Sequence, residues 1–429
     1  MIKYRELTNG LKILFVPSPS YSIHIVVASH YGFAHESDRS RQITHLVEHI
    51  LALGGSKLFS SEIEMKRTLD RMSGGLSGET SANHVKFCLS LAKKEQNLGL
   101  NLIFDSLLNP IIDEQKIEKE KQSVASDLAK INDNMDLYTQ FQIQRIIFEG
   151  HPYGWQIITP FNRIKNLRKS QIEWLAKRLM RPNHLVVVVA GSFDEEKAFS
   201  TIEKYFGKLK PMQGRVIPPF VLTQTKPKLV FEPRRAKQIA FSIGFPIFGF
   251  FDKDYYALSI LKNIICGRQS SILDARLCCE KGLVYTIQTD RTHWRDAGYF
   301  EINAATWSRR NMWKIYKIVL DTIVELRETL ISKDELDLAK VNLSNFTRRQ
   351  FDDEEHVANF YAEQLIYYGT YVSLREYLRE IKKVNRFDVR RVARRVFDFS
   401  HLNLHALGRV LPTDEEKILE MLKKYNGRK

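Results

Sequence analysis

Cysteine is scarce in this sequence, which has 429 residues and only four thiols, Cys88, Cys266, Cys278 and Cys279. So few thiols cannot form a disulfide scaffold, and no two of them have the Cys-x-x-Cys spacing of a zinc knuckle or redox site. A chain of this length buries a large core without such cross-links. A small domain held together by disulfides or a structural metal is therefore excluded.

Long apolar runs are also missing. The most apolar stretches, 185–190 and 239–251, are too short or too interrupted for the ~20 residues that a membrane helix needs. The first residues lack the basic-then-apolar pattern of a signal peptide. Hydrophobic residues make up 44% and charged residues 27%, a mixture typical of globular proteins. We therefore expect a soluble cytoplasmic protein without a membrane span.

Acidic residues are outnumbered, with 50 Asp and Glu against 65 Lys and Arg, so the formal net charge is +15. A basic surface can attract acidic partners or nucleic acid. Two arginine pairs, 390–391 and 394–395, lie four residues apart, as on one solvated helix face. No zinc-finger spacing or RNP-type aromatic motif accompanies them. We therefore expect no nucleic-acid partner and a generic basic surface.

The chain divides into two halves. Segment 211–228 is rich in proline and lysine, and it predicts a linker between domains at 1–210 and 229–429. Near the end of each half, at 183–197 and 400–417, the sequence has a strand pattern, a glycine and an acidic helix start. This repetition favours an internal duplication.

The most specific chemical feature is the sequence His45-Leu-Val-Glu48-His49. In a helix, side chains at i, i+3 and i+4 share one face. The pattern is HxxEH, the inverse of the HExxH zinc site. Imidazole is a common zinc ligand, and a neighbouring carboxylate can take a proton from water. The spacing therefore predicts a metal site with Glu48 as its base.

The motif lies in a predicted helix over 40–53, whose apolar residues form a stripe away from the two histidines. Ser37 or Asp38 is the expected N-cap, and Gly54 the expected stop.

A third ligand is expected from a second predicted helix, 115–131. Glu120 and Asp127 lie seven residues apart within its apolar stripe. A carboxylate on a core-facing side is costly unless it is paired or binds a metal. A buried salt bridge is the alternative interpretation.

These features are joined by Tyr31-Gly-Phe-Ala-His-Glu36, the Gly-Gly stretch at 74–81 and Lys281-Gly-Leu-Val-Tyr285. Together they resemble the pitrilysin/insulinase family of inverzincin metallopeptidases over nearly the whole chain. The resemblance is closest to the short-chain branch, with mitochondrial processing peptidase and bacterial processing proteases. It implies an α+β fold of two homologous halves. Each half is an antiparallel sheet with packed helices, and together they form one half of a clamshell chamber.

The resemblance also implies roles for residues. Zn²⁺ is bound by His45, His49 and a third acidic ligand that follows the second histidine by 76–78 positions, which here is Asp127 because 127 − 49 = 78. Glu48 is the general base. Glu120 corresponds to the second acidic residue of the family and supports the site from outside the ligand set. Whether Asp127 or Glu120 is the ligand stays open at this point.

Three positions depart from the family pattern. Asp127 stands where a glutamate is usual, and Ser77 where a substrate-binding asparagine is usual. Cys278 stands where the family has an active-site arginine, seven residues before Tyr285. Tyr285 itself is kept. The resemblance therefore implies substrate contacts at Ser77 and Tyr285, and a donor for the developing oxyanion at Tyr285.

The implied function is that of a zinc metalloendopeptidase, a hydrolase acting on unstructured peptides. The change at Cys278 favours the zinc-bearing chain of a heterodimer, in which a homologous partner supplies the Arg/Tyr pair. A homodimer is the alternative arrangement. The alternative function is a non-catalytic homologue that serves as a peptide-binding or scaffold subunit.

Overall fold

A computed structural model describes residues 2–155 and 161–426. Within these ranges the chain forms two β-sheets, each packed against helices. None of the helices in the described ranges combines the length and the hydrophobicity needed to cross a bilayer.

The first sheet has six strands in the order β1-β2-β6-β3-β5-β4. Neighbouring strands are antiparallel, except that β2 and β6 are parallel. Strand β4 therefore forms one edge of the sheet. The strands are β1 (Lys3–Glu6), β2 (Lys12–Pro17), β3 (Ser22–Ser29), β4 (Gly75–Thr80), β5 (Val85–Ala92) and β6 (Leu185–Gly191).

The second sheet has five strands in the order β7-β11-β8-β10-β9. Here β7 and β11 are parallel and the other pairs are antiparallel. This pattern matches β2-β6-β3-β5-β4 strand for strand, so the α+β class and the two homologous halves are confirmed. The strands are β7 (Lys228–Pro233), β8 (Ile239–Phe248), β9 (Ile287–His293), β10 (Ala297–Thr306) and β11 (Asn403–Gly408).

The helices account for most of the remaining described residues. Residues 207–227, which include most of the predicted linker, contain no helix or strand. The helices are α1 (Ile43–Leu53), α2 (Glu62–Arg71), α3 (Gln96–Leu108), α4 (Glu114–Asp133), α5 (Met135–Ile147), α6 (Phe161–Lys165), α7 (Lys169–Leu179), α8 (Glu195–Phe206), α9 (Tyr255–Cys266), α10 (Ile272–Asp274), α11 (Arg309–Glu328), α12 (Lys333–Gln350), α13 (Glu354–Tyr368), α14 (Leu374–Lys383), α15 (Arg386–Val396) and α16 (Asp414–Asn426).

Contacts group the chain into two compact units, each built around one sheet. The first unit comprises 1–129, 157–218 and 348–372, and the second comprises 130–156, 219–347 and 373–429. The division predicted from the sequence, with domains at 1–210 and 229–429, follows chain order. The contact-based units differ from it mainly by two exchanged segments, 130–156 and 348–372.

The exchanged segments explain why the central strands are buried on both faces. In the first unit, α13 packs on β3 and β6, while Ile23, Ile25 and Val27 of β3 point into a core shared with α1. In the second unit, α5 packs on β8 and β11 in the same way. Strands covered on both faces are apolar at nearly every position rather than at alternate ones.

Candidate metal centre

Helix α1 is anchored by one apolar side. It begins after Gln42 and ends at Gly54. Its buried side chains belong to the hydrophobic core of the first unit and include Leu46, Val47, Ile50 and Leu51. Because these positions fix the rotation of the helix, His45, Glu48 and His49 lie together on a different face.

The start of α1 differs from the expectation that Ser37 or Asp38 caps it. Both residues belong to a separate short turn, in which Ser37 contacts Ser40. The carboxylate of Glu36 takes their place, accepting hydrogen bonds from the backbone N–H groups of Gln42 (2.9 Å) and Thr44 (2.8 Å). The predicted cap is wrong because Gln42 adopts a left-handed conformation with φ of 73°, which sets the start of the helix after the turn.

The motif residues converge. The Nε2 atoms of His45 and His49 lie 3.2 Å apart. Among the described residues, His45, Glu48 and His49 form a group whose potential ligand atoms all lie within 4.8 Å of one another.

Helix α4 brings two carboxylates to the same place. Asp127 Oδ2 lies 3.5 Å from His49 Nε2, on the nitrogen that faces His45. Glu120 Oε2 lies 3.3 Å from His49 Nδ1, on the opposite side of the ring. The seven-residue spacing is about two helical turns, so both carboxylates lie on one face of α4. The two acids therefore contact different nitrogens of one imidazole.

The surroundings shift the acidity of the motif. Burial and the neighbouring His49 lower the pKa of His45 to about 4. Burial raises the pKa of Glu48 to about 7, although His49 and Thr80 oppose this shift. Burial alone lowers the pKa of His49, but the contact with Glu120 and nearby carboxylates outweighs it, so this pKa lies above its usual value.

Edge strand β4 lies against Glu48. The hydroxyl of Thr80 donates to Glu48 Oε2 at 3.3 Å. Gly78 lies so close that an added Cβ would overlap Glu48 Oε1. A cavity of about 180 Å³ opens beside this contact, and its lining includes Phe33, Gln42 and Glu48. A free sheet edge, a carboxylate and two imidazoles thus meet in one place.

The other predicted site residues lie on other elements of the chain. Ser77 is exposed on β4 and points away from the face that Gly78 and Thr80 share. Tyr285 belongs to the second unit, and its side chain is 100% exposed. Cys278 lies in a π-helical turn and is partly buried against the hydrophobic core of the second unit.

The donor set fits the chemistry of zinc. Catalytic zinc sites combine three protein ligands, such as two imidazole nitrogens and a carboxylate oxygen, with an open position. Here His45 Nε2 and Asp127 Oδ2 lie 3.2 Å and 3.5 Å from His49 Nε2. The nearby Glu120 provides the outer hydrogen bond that zinc-binding histidines usually make.

Two family models match the chain in succession. The model described as Insulinase (Peptidase family M16) matches residues 17–161, which include the whole cluster. The model described as Peptidase M16 inactive domain matches residues 167–343. The chain belongs to the pitrilysin/insulinase family.

Similar proteins from this family extend over nearly the full chain. An uncharacterized zinc protease, YmxG, of Bacillus subtilis is 22% identical over 92% of this chain and 96% of its own length. The mitochondrial-processing peptidase subunit beta of Dictyostelium discoideum is 21% identical, covering 91% and 85%. The crystal structure of a protease from Helicobacter pylori matches with a TM-score of 0.85 at 21% identity, covering 95% and 99%. The fold is thus that of known members of the family.

Sequence reasoning missed four residues around the cluster: Glu36, Gln42, Gly78 and Thr80. Gln42 precedes His45 by three positions, a spacing that indicates a shared helix face. Gly78 and Thr80 alternate with Ser77, so only the register of β4 reveals which set faces the motif. No local signal in the sequence pointed to Glu36.

Proposed function

We propose that the chain is a zinc-dependent endopeptidase that hydrolyses unstructured peptides. One observation carries this proposal: His49 Nε2 lies 3.2 Å from His45 Nε2 and 3.5 Å from Asp127 Oδ2, and Glu48 belongs to the same cluster as the two histidines. Such a cluster joins a metal ligand set to a proton acceptor.

His45, His49 and Asp127 would hold the metal. When bound, Zn²⁺ supplies Lewis-acid chemistry, which makes water more acidic and a peptide carbonyl more electrophilic. Glu120 holds His49 from its Nδ1 side, and this contact supports its assignment outside the ligand set. Asp127 is favoured over Glu120 as the ligand because it lies on the nitrogen that faces His45.

Glu48 is the proposed general base. Its carboxylate takes a proton from the attacking water and returns it to the leaving amine. The Thr80 hydroxyl donates to Oε2 and so restrains the orientation of the carboxylate.

The substrate is proposed to lie extended along the free edge of β4, where its main chain can pair with the strand. Support comes from the position of this edge against Glu48. Ser77 is exposed on the same strand and is the proposed side-chain contact with the peptide.

The oxyanion of the transition state is proposed to accept a hydrogen bond either from the hydroxyl of Tyr285 or from the Arg/Tyr pair of a homologous partner chain. The arginine that accompanies such a tyrosine in the family is absent, because Cys278 occupies its position. Arg276 is unsuited to replace it, since its guanidinium binds Thr322 Oγ1 and Glu325. We therefore propose a heterodimer, in which a homologous chain contributes the Arg/Tyr pair. The similarity to a processing-peptidase subunit supports this arrangement.

A second candidate function is a non-catalytic peptide-binding or scaffold subunit. The cysteine at position 278 favours it. The complete set of His45, Glu48 and His49 argues against it, because a scaffold has no use for a metal ligand set next to a carboxylate.

The deciding experiment compares Glu48→Gln with wild type, measuring zinc content and hydrolysis of an unstructured peptide pool. Both proteins are assayed alone and with any homologous chain encoded beside them. We expect the variant to keep its zinc and to lose about 100-fold or more of the activity. Glu114→Gln, an exposed change on α4, is the matched control and keeps both.

Cleavage by Glu48→Gln at the wild-type rate would refute the base assignment. Wild-type protein that binds zinc but cleaves nothing under either condition would favour the scaffold function. Protein without zinc in both conditions would refute the metallopeptidase proposal.

A further inference from the structure

Gln42 combines two unusual properties. It is one of two non-glycine residues with positive φ among the described residues, at 73°, and the other is Ser73 at 47°. A left-handed conformation is strained for a residue with a Cβ. Gln42 is also only 4% exposed, although its amide is polar. A strained and buried polar residue beside a functional cluster is a reason to ask what it holds in place.

The side chain of Gln42 reaches a candidate ligand. Its Oε1 lies 3.2 Å from Nδ1 of His45. An amide oxygen only accepts hydrogen bonds, so this contact requires the ring hydrogen of His45 on Nδ1. The lone pair is then on Nε2, which is the atom that faces His49 at 3.2 Å. The contact thus selects the tautomer that can bind a metal on the side of the cluster.

The backbone of Gln42 is held from both directions. Its N–H donates to the buried carboxylate of Glu36 at 2.9 Å. Its carbonyl accepts the N–H of Leu46 at 3.0 Å, as the first hydrogen bond of α1. The segment before it is fastened as well, because Arg215 donates to the backbone carbonyl of Glu36 at 3.0 Å. These bonds maintain the left-handed conformation and aim the side chain at His45.

We propose that Gln42 is a positioning residue of the metal site, holding His45 with Nε2 presented to the metal. This inference rests on the proposed zinc site. Gln42 does for His45 what Glu120 does for His49, since each contacts the Nδ1 atom of its ring. The two supports differ in charge: the amide is neutral and the carboxylate anionic. A carboxylate partner makes a ligating imidazole more basic, so His49 is the stronger donor of the pair.

Substitution by glycine separates the positioning role from a purely structural role of Gln42. Glycine adopts positive φ without strain, so Gln42→Gly relaxes the turn while it deletes the amide. We expect the melting temperature of the metal-free protein to stay the same or rise. We expect zinc affinity to fall about 10- to 100-fold, the range for loss of an outer partner of a ligand.

Two further variants complete the design. Ser73→Gly is the matched control, because it relaxes the other left-handed residue in the turn between α2 and β4. It should raise stability similarly and leave zinc affinity unchanged. Gln42→Asn keeps an amide and tolerates positive φ, but it is one methylene shorter. It should lose affinity as the glycine variant does, since its oxygen falls short of Nδ1.

The measurements use the purified full chain. Zinc affinity is obtained by competition with a chromogenic chelator, and stability from thermal unfolding of the metal-free protein. The tautomer of His45 is read from ¹⁵N NMR of metal-free protein with labelled histidine. We expect Nδ1–H in wild type and a mixture of tautomers in Gln42→Gly.

Unchanged zinc affinity in Gln42→Gly, or a loss matched by a lower melting temperature, would overturn the positioning role. Absence of zinc binding in wild type would refute the proposed function instead. In that case the NMR comparison still decides the inference: a His45 tautomer that ignores Gln42→Gly refutes it.

Discussion

Gly78 of β4 lies directly against the carboxylate of Glu48. A Cβ added at position 78 would overlap Glu48 Oε1, and the other close atoms also belong to the Glu48 side chain. Only a glycine lets the edge strand approach the carboxylate so closely, and Thr80 on the same face adds a hydrogen bond to it. The edge that is proposed to bind peptide and the residue proposed to activate water are therefore in contact.

Gly78→Ala should displace Glu48 and reduce peptide hydrolysis. A misplacement of about 1 Å costs on the order of 100-fold in rate, and we expect a loss in kcat/KM of this size. Zinc content should stay unchanged, because the three atoms nearest to the added Cβ all belong to Glu48, which is outside the proposed ligand set. Gly75→Ala on the same strand is the matched control, since no atom lies within 4 Å of its added Cβ. Equal activity of both variants would show that the contact is unimportant.

The two carboxylates on α4 should have separable effects on the metal. Glu120→Ala should weaken zinc binding about 10- to 100-fold, as expected for loss of an outer hydrogen bond to a ligand. Asp127→Ala removes a proposed ligand and should weaken it further, so that zinc no longer copurifies. Metal content and competition with a chelator measure zinc binding in both variants, and the exposed Glu114→Ala is the control. If Glu120→Ala is the more damaging change, the two roles are reversed.

The sequence predicts local elements well where one pattern decides them. Helix α4 extends the predicted helix 115–131 by one residue at its start and two at its end. The beginning of α1 was predicted at residue 40 and lies at Ile43, since helix propensity carries no information on the left-handed turn at Gln42.

The exchange of α5 and α13 was not predictable. Neither helix has a strongly amphipathic pattern, and helical periodicity does not say which sheet a helix packs on. That choice depends on contacts distant in sequence, such as Gly244 of β8, which leaves room for Ile143 of α5.

The candidate site was predictable where a fixed helical spacing decides it. The i, i+3, i+4 spacing placed His45, Glu48 and His49 together. The spacing of Glu120 and Asp127 indicated one helix face. Which ring nitrogen each acid faces depends on the packing of α4 against α1, which the sequence does not encode locally.

The basic surface found in the sequence is partly structural. Asp254 is buried, with 1% of its side chain exposed, and it accepts hydrogen bonds from Arg391 and Arg395. Arg395 also binds Asp252 at 2.8 Å. One arginine of each pair therefore neutralises acidic groups at the start of α9, which leaves less charge for acidic partners.

Asp254→Asn should destabilise the second unit. Removing one partner from a buried ion pair costs about 3–5 kcal/mol, and the two arginines here are partly exposed, so we expect the lower end of this range. Thermal or urea unfolding measures the change. Arg390→Gln is the control, because a surface substitution usually changes stability by less than about 0.5 kcal/mol. Equal stability of the two variants would contradict the structural role of the arginines.

The last prediction concerns pH and Glu301 of β10. Burial, with a smaller contribution from Asp290, raises the pKa of this carboxyl to about 8 from its usual 4.5. Between these values the unfolded chain releases the proton while the folded chain keeps it. Stability therefore falls as the pH rises from about 4.5 to about 8, and each pKa unit corresponds to about 1.4 kcal/mol.

Glu301→Gln removes the titrating proton and keeps the size of the side chain. The free energy of unfolding of the variant minus that of wild type should increase as the pH rises. We expect this difference to be about 2–4 kcal/mol larger at pH 8.5 than at pH 5.5. Urea unfolding at both pH values measures this difference, with the exposed Glu328→Gln as control. If the difference in stability between variant and wild type is independent of pH, Glu301 is ionised in the folded protein. The reason is that stability depends on pH through this residue only if the folded chain keeps a proton that the unfolded chain releases.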